Sequence, residues 1–224
     1  VATRVVSLVP SVTETLLDWG IRPVACTRFC EQPELPHVGG TKDPAIADIV
    51  ELAPDLVVVD EEENRREDHD ALVDAGVAVH VLAVRDLAGL DGQMAELAQR
   101  VGGAWVPIGP VAEPVPTRCA WVPIWKRPWM ALGEPTYGSA VLRALGVANV
   151  AAPDGAYPEV GPDAARAAGA DVVIAPSEPY PFAERHRAQL EAGAADVRFV
   201  DGRDLLWWGT RTRGALARLR AALA

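Results

Sequence analysis

Basic charge is scarce in this sequence. Its 21 lysines and arginines face 31 aspartates and glutamates, and the formal net charge is −10 at pH 7. That balance argues against a nucleic-acid partner, whose phosphates demand a basic surface. Long apolar runs are missing too: no stretch approaches the roughly 20 residues a membrane span requires. Val1-Ala2-Thr3-Arg4 leads directly into a strand pattern and does not itself read as a signal peptide, so localisation is not readable from this end. There are only three cysteines, Cys26, Cys30 and Cys119, an odd count read as three free thiols. The spacing of Cys26 and Cys30 matches no standard zinc motif and permits a bridge only if the loop between them turns back. Catalytic patterns are lacking as well. Ser7, Ser11, Ser139 and Ser177 have no nucleophile-elbow glycines, and the four histidines fall in no catalytic motif, so an enzyme reading has nothing specific to rest on.

What the chain does have is an internal duplication. Residues 71–87 read ALVDAGVAVHVLAVRDL and residues 189–205 read QLEAGAADVRFVDGRDL, with Arg85-Asp86-Leu87 recurring 118 positions later as Arg203-Asp204-Leu205. Asp55 opens the apolar run LVVV in the first half, and Asp171 opens VVIA in the second. LLDWGIRPVA and VLRALGVANVA also correspond, with Gly20 matching Gly146. Half of the 224 residues are apolar, enough for each of two lobes to bury a core. Two similar α/β lobes facing each other across a ligand cleft are the expectation.

Local patterns fill in this outline. Strands are predicted at 4–9, 24–26, 56–59, 77–82, 118–122, 172–175 and 197–200. Helices are predicted at 12–19, 44–52, 65–75, 87–101, 138–145, 162–168, 182–192 and 210–223. Ser11 and Glu14 make a capping-box pattern ahead of the first helix. Unalternated runs such as Leu56–Val59 point to buried parallel strands. The alternation of strand and helix gives parallel sheets flanked by helices. Residues 105–117 hold four prolines and cannot form a regular helix.

In open parallel sheets ligands sit outside the carboxyl ends of strands, so the loops there are the candidates for function. Trp125 and Trp129 share one such loop, Trp207 and Trp208 another, and Trp121 stands at the edge of the first. Aromatics gathered at a cleft mouth supply flat apolar surface for a large ring, although Trp207 and Trp208 also suit ordinary inter-lobe packing. Asp60-Glu61-Glu62-Glu63-Asn64 closes a strand and reads as a solvated helix N-terminus, with Asp60 or Asn64 placed to face the cleft. Cys30 and His37 share a loop, but two ligands do not complete a metal site. Gly39-Gly40-Thr41-Lys42 lacks the upstream glycine and spacing of a phosphate loop.

Across almost its whole length the chain resembles the cobalamin and iron–siderophore class of ABC-transporter substrate-binding proteins. The resemblance rests on RVVSLVPSVTETLLDWG, VGGTKDPAIADIVELAPDLVVVD, PIWKRPWMALGEPTYGSAVLRALGVANV, YPEV, PSEPYPF and DGRDLLWWGTR. It implies that Phe29 and Cys30 lie where a first-lobe aromatic meets a corrin ring. Thr41 and Lys42 fall on the next cleft loop, Asp60 on the loop after the third strand, and Trp125, Trp129, Tyr157, Trp207, Trp208 and Arg211 at second-lobe cleft positions. It also implies one acidic docking residue per lobe for the permease. Asp163 matches the second, whereas the first position holds Ala47 with Asp48 beside it. The class joins its lobes by a longer helix, so the connecting helix here is shortened.

The expected organisation is an N-terminal lobe over 1–86, a connecting helix and proline-rich linker over 87–117, and a C-terminal lobe over 118–224. The expected function is capture of a metal-containing macrocycle or chelate, cobalamin or a ferric siderophore, for an ABC importer. No intrinsic cofactor, no catalytic residue and no protein-held metal are expected, and the chain is expected to be a monomer. Its expected place is extracytoplasmic, periplasmic or lipid-anchored, with cytoplasmic as the alternative. A cytoplasmic metal or tetrapyrrole carrier and an enzyme on a chelatase-like two-lobe fold remain the rival readings.

Overall fold

The computed structural model describes residues 3–224. It divides into two compact units, the first comprising residues 3–84, Gly89–Pro107 and Trp208–Thr210, the second comprising Arg85–Ala88, Ile108–Trp207 and Arg211–Ala224.

The first unit is built from β1 (Val5–Ser7), α1 (Pro10–Asp18), β2 (Ala25–Cys26), α2 (Ile46–Glu51), β3 (Leu56–Asp60), α3 (Arg66–Asp74), β4 (Val79–Leu82) and most of α4 (Leu87–Val101). Its sheet runs in the order β2-β1-β3-β4 with every pair parallel. β3 is buried at all five positions, which is why it reads as a continuous apolar run rather than an alternating one. Val6, Leu8, Ala25, Ile49, Val57, Val59 and Leu72 pack into one core. The first helix starts earlier than the capping-box pattern predicts. Pro10 occupies the first turn behind an extended Val9, and no side chain caps the end. Proline fits there because its missing N–H would be unpaired anyway and its φ is already helical. Ser11 is therefore inside the helix and buried.

The second unit repeats the plan with β5 (Arg118–Trp121), β6 (Pro123–Trp125), β7 (Met130–Ala131), α5 (Tyr137–Ala144), β8 (Val147–Asn149), α6 (Pro162–Ala167), β9 (Val172–Pro176), α7 (Arg187–Leu190), β10 (Asp196–Val200), α8 (Gly202–Leu206) and α9 (Thr212–Leu223). Its main sheet is parallel in the order β10-β9-β5-β8. Matching β5 to β1, β8 to β2, β9 to β3 and β10 to β4 gives the same order as in the first unit, as the duplicated passages require. The antiparallel β6-β7 ribbon is an addition that the sequence patterns did not foretell. The helix predicted at 182–192 is shorter than expected: a 3₁₀ turn at Glu184–His186 passes into four residues of α7.

The connecting helix α4 ends at Val101, and residues 103–117 form neither helix nor strand. Each end of this stretch is fastened to its own unit. Trp105 Nε1 donates to Asp91 Oδ1 at 3.0 Å in the first, and Thr117 N–H donates to the Gly146 carbonyl at 2.9 Å in the second.

The second core forms around Trp121, the largest fully buried side chain, against Ala131, Val160, Ala165, Val173, Ala175, Phe182, Leu190 and Ala194. Small residues dominate this wall because the indole fills the space that larger side chains would take; a Cβ on Gly193 would lie 2.7 Å from its ring. Trp121→Ala is accordingly expected to cost about 3–5 kcal/mol. Urea unfolding should show the loss as a lower midpoint with an unchanged slope, and a loss below about 1 kcal/mol would mean that the indole does not organise this core.

Candidate ligand site

All four strands of each main sheet are parallel, so within a unit their carboxyl ends share one edge. In both sheets the strand order reverses between two central strands, β1 and β3 in the first unit and β5 and β9 in the second. At such a reversal the two following loops diverge and leave a crevice in which α/β proteins hold ligands.

In the second unit the segments that follow β5 and β9 carry a chain of rings. β5 delivers Trp121 to the base, and the β6-β7 ribbon that follows carries Trp125 and, in its turn, Trp129. The loop after β9 supplies Tyr180, Phe182 and His186. Trp129 lies 5.5 Å from Trp121, tilted by 59°, and stacks on Phe182 at 6.0 Å with 3° between planes. Phe182 meets Tyr180 at 4.7 Å, and Tyr180 meets Trp125 edge-on at 5.7 Å. His186 contacts both Tyr180 and Phe182. These offset and edge-to-face arrangements are the ones aromatic quadrupoles favour. The chain of rings runs from the buried Trp121 outward to Trp125, which is 46% exposed.

Tyr157, 44% exposed, follows β8. Its segment is pinned on both sides: Ala131 N–H donates to the Pro158 carbonyl at 2.9 Å and Gly133 N–H to the Ala156 carbonyl at 2.7 Å. A side chain at Gly133 would overlap the Gly155 carbonyl, which explains glycine there. Trp125 and Tyr157 thus stand on backbone tied together by hydrogen bonds, and both are exposed.

The remaining predicted residues of this unit differ. Trp129 is half-buried within the ring chain. Trp207 is half-buried beneath the Arg211 guanidinium, 5.7 Å from its ring centre. Arg211 is not a free anchor: its side chain is 14% exposed and its Nη1 binds Asp204 Oδ1 at 2.6 Å. Arg218 grips the same carboxylate from Nε and Nη2, both at 2.7 Å. Hydrogen bonds from Arg218 and then Arg211 outweigh the opposing effect of burial and hold the Asp204 carboxyl below its usual range. Here the expectation is corrected. A buried carboxylate needs these cations, so Arg211 joins α8 to α9 rather than reaching outward.

The loops of the first unit are sorted in the same way. Trp208, which belongs to this unit, is 6% exposed and offers no free face, so its place among ligand contacts is corrected to packing. Phe29 follows β2 and is 51% exposed, with the Arg28 guanidinium 4.8 Å above its ring. Arg28 also binds Asp43 at 3.0 Å. Sequence reasoning passed over Arg28, although its position beside the exposed Phe29 was a signal for it. Cys30, by contrast, is buried with Cys26 and Leu35 beneath the loop and presents nothing to a ligand. His37 is exposed and bonds the Gln32 carbonyl, so it does not join Cys30 at a metal. Among the described residues no three His, Cys, Asp or Glu side chains converge as a metal cage.

Thr41 is buried, and Lys42 donates from Nζ to the Glu62 carbonyl at 2.5 Å. Asn64 ties the loops together. Its Nδ2 donates to the Thr41 and Leu8 carbonyls, and its Oδ1 accepts from Asp60 N–H. Asp60 is buried and turns its Oδ1 to the N–H groups of Glu62 and Glu63 at 2.9 and 3.3 Å. The acidic run is therefore a tight turn stabilised by its own first residue; α3 begins only at Arg66. Asp60 Oδ2 is buried and has no hydrogen-bond partner among the described residues. Burial raises the Asp60 carboxyl to about 6, against the two backbone N–H groups that favour its charge. Asp48 and Asp163 are both exposed, each in the first turn of a short helix.

No protein-family model matches the chain, and no curated protein does. Solved structures match its fold over nearly the full length. A periplasmic heme-binding protein from Pseudomonas aeruginosa matches with a TM-score of 0.80 and 23% identity, covering 99% of this chain and 92% of that one. The vitamin B12 binding protein BtuF of Vibrio cholerae matches with a TM-score of 0.79 and 19% identity, covering 99% and 96%. The heme-binding protein RhuT from Roseiflexus sp. RS-1, in apo form, matches with a TM-score of 0.77 and 20% identity, covering 99% and 98%. At these identities the likeness shows the fold: α/β, with parallel sheets flanked by helices.

Two outcomes are expected from the buried carboxylates. Asp60 has a raised folded-state pKa, so its contribution to stability is present at low pH and is lost as pH rises through about 6. Asp60→Asn keeps an acceptor for the turn and should remove about 2 kcal/mol of that pH dependence. Melting temperatures of both proteins at pH 5 and 7.5 check this, with a flatter profile expected in the variant. Asp204→Asn leaves Arg211 without its carboxylate and should cost about 3 kcal/mol at pH 7, read by urea unfolding.

Proposed function

We propose that the chain is a binding protein for a flat, metal-containing macrocycle, a heme or a cobalamin, which it delivers to an ABC importer. The observation that carries this reading is the set of exposed aromatic faces at strand carboxyl ends, Trp125 and Tyr157 in the second unit and Phe29 in the first. A planar conjugated ligand gains most from such surfaces, through burial and stacking on rings that are already held in place. The matched fold supports it, since the similar structures are named as heme-binding and vitamin B12 binding proteins. Arg28 and Lys126, each stacked by a ring, supply positive charge for carboxylates or phosphate at the macrocycle rim.

In this reading the role is capture without catalysis, and metal arrives inside its chelate. Within the second unit the candidate contacts are Trp125, Tyr157 and the edges of Trp129 and Trp207; within the first they are Phe29 and the Thr41-Lys42 loop. In the same reading Asp48 and Asp163 serve as docking carboxylates for the permease, and the working protein is an extracytoplasmic monomer.

Titration of the purified chain with heme, cobalamin and a ferric siderophore, followed by tryptophan fluorescence, tests the reading. Quenching with micromolar affinity or better, about −8 kcal/mol, is expected for one tetrapyrrole. Trp125→Ala, Tyr157→Ala and Phe29→Ala should each weaken that binding by about 1–2 kcal/mol, roughly 5- to 30-fold, with little change in melting temperature. Absence of quenching across the panel, or unchanged affinity in all three variants, would overturn it.

A further inference from the structure

Cys26 and Cys30 are two buried thiols with no part in the site described above. Cys26 ends β2, and the chain then turns back: Cys30 N–H donates to the Thr27 carbonyl at 3.1 Å. That reversal is the condition on which a bridge between these positions depends. Two hydroxyls converge on one sulfur: Thr13 Oγ1 and Thr27 Oγ1 each lie 3.2 Å from Cys30 Sγ, and Cys26 lies in the same buried cluster. Thr13 comes from α1 and Thr27 from the turn itself, so the sulfur is held from two elements.

We propose that Cys26 and Cys30 form a redox-convertible pair that closes to an intramolecular disulfide by exchange with a small-molecule disulfide, with Cys30 as the attacking thiolate. The Cys30 thiolate attacks one sulfur of the oxidant RSSR, which forms Cys30–S–S–R and releases RS⁻. Cys26 then gives up its proton to solvent and attacks the Cys30 sulfur, which forms the Cys26–Cys30 bond and releases the second RS⁻. Both cysteines are oxidised and one RSSR is reduced to two thiols.

The roles differ because the environments differ. The hydrogen bond from Cys26, then those from Thr13 and Thr27, outweigh burial and lower the Cys30 thiol to about 6. The Cys26 thiol is pushed up by its bond to Cys30, by burial, and by the charges of Cys30 and Glu34. An ionised sulfur facing a protonated one is the arrangement of an attacking and a resolving cysteine. Access requires the 27–30 turn to open against the Arg28 N–H to Gly39 carbonyl bond at 2.9 Å, the surface Arg28–Asp43 pair and the threonine contacts on Cys30 Sγ. Openings of so small a segment are frequent compared with global unfolding. The bridge fastens both ends of Thr27-Arg28-Phe29, the segment that presents the exposed Phe29.

The test uses the full chain, oxidised glutathione and no ligand, so its outcome is independent of the proposed function. Samples are quenched in acid, denatured, alkylated and analysed by mass spectrometry. Cys26 and Cys30 should disappear together into a cross-linked peptide, while half-exposed Cys119 takes up glutathione alone. Cys26→Ser should trap a stable glutathione adduct on Cys30, and Cys30→Ser should slow loss of the Cys26 thiol at least tenfold. The proposal is overturned if both thiols of the native protein remain alkylatable after Cys119 has reacted. Bridging only in urea, or Cys26 reacting first, would overturn it equally.

Discussion

The burial of Trp121 at the end of β5 is the contact on which the rest of the second unit depends. A tryptophan at the carboxyl end of a central strand packs between the sheet and its helices, and small residues around it, Ala131, Ala165, Ala175 and Ala194, leave it the space. Once that ring is fixed, Trp129 has a surface to tilt against, Phe182 stacks on Trp129, and Tyr180 places itself between Phe182 and Trp125. The outermost ring therefore inherits its position from the innermost one. An exposed aromatic without such support would spend its time in several rotamers and would lose entropy on binding; one set in a packed series loses less.

The first unit reaches the same end by polar means. Asn64 uses both ends of its side-chain amide to join the segments that follow β1, β3 and the Thr41 turn. Asp60 shapes the turn after β3 at the cost of a carboxylate oxygen buried without a hydrogen-bond partner among the described residues. A buried polar network of this sort specifies one loop arrangement, because each missing bond would leave another group unsatisfied. The two units thus share a strand order and differ in how they stiffen the edge where their loops emerge.

Much of this was legible in the sequence. The duplicated passages gave two α/β units, and the apolar runs at Leu56 and Val172 marked the central buried strands. The fifteen-residue α4 was readable from end to end, since its apolar spacing and the following glycine pair define both limits. The β6-β7 ribbon was not legible: two strands of three and two residues carry too little periodicity to stand out among prolines. Site residues fared unevenly for a related reason. Residue type told that Trp125, Trp208 and Arg211 matter, but not which way each faces. Arg211 lies seven residues beyond Asp204 and turns back to it, and Cys30 turns inward one position after Phe29 turns out. Those choices are made by tertiary packing, which spacing along a loop does not encode.

In the proposed binding role a preformed series of rings presents Trp125 to the ligand while Trp121 stays fixed beneath it. Fluorine NMR on protein labelled with 5-fluorotryptophan, with each resonance assigned by single Trp→Phe substitutions, reads both ends of the series at once. On saturation with whichever tetrapyrrole binds, the Trp125 resonance should shift or broaden strongly while that of Trp121 stays sharp and moves little. A bound ligand that leaves Trp125 unperturbed, or that displaces Trp121, would contradict the account.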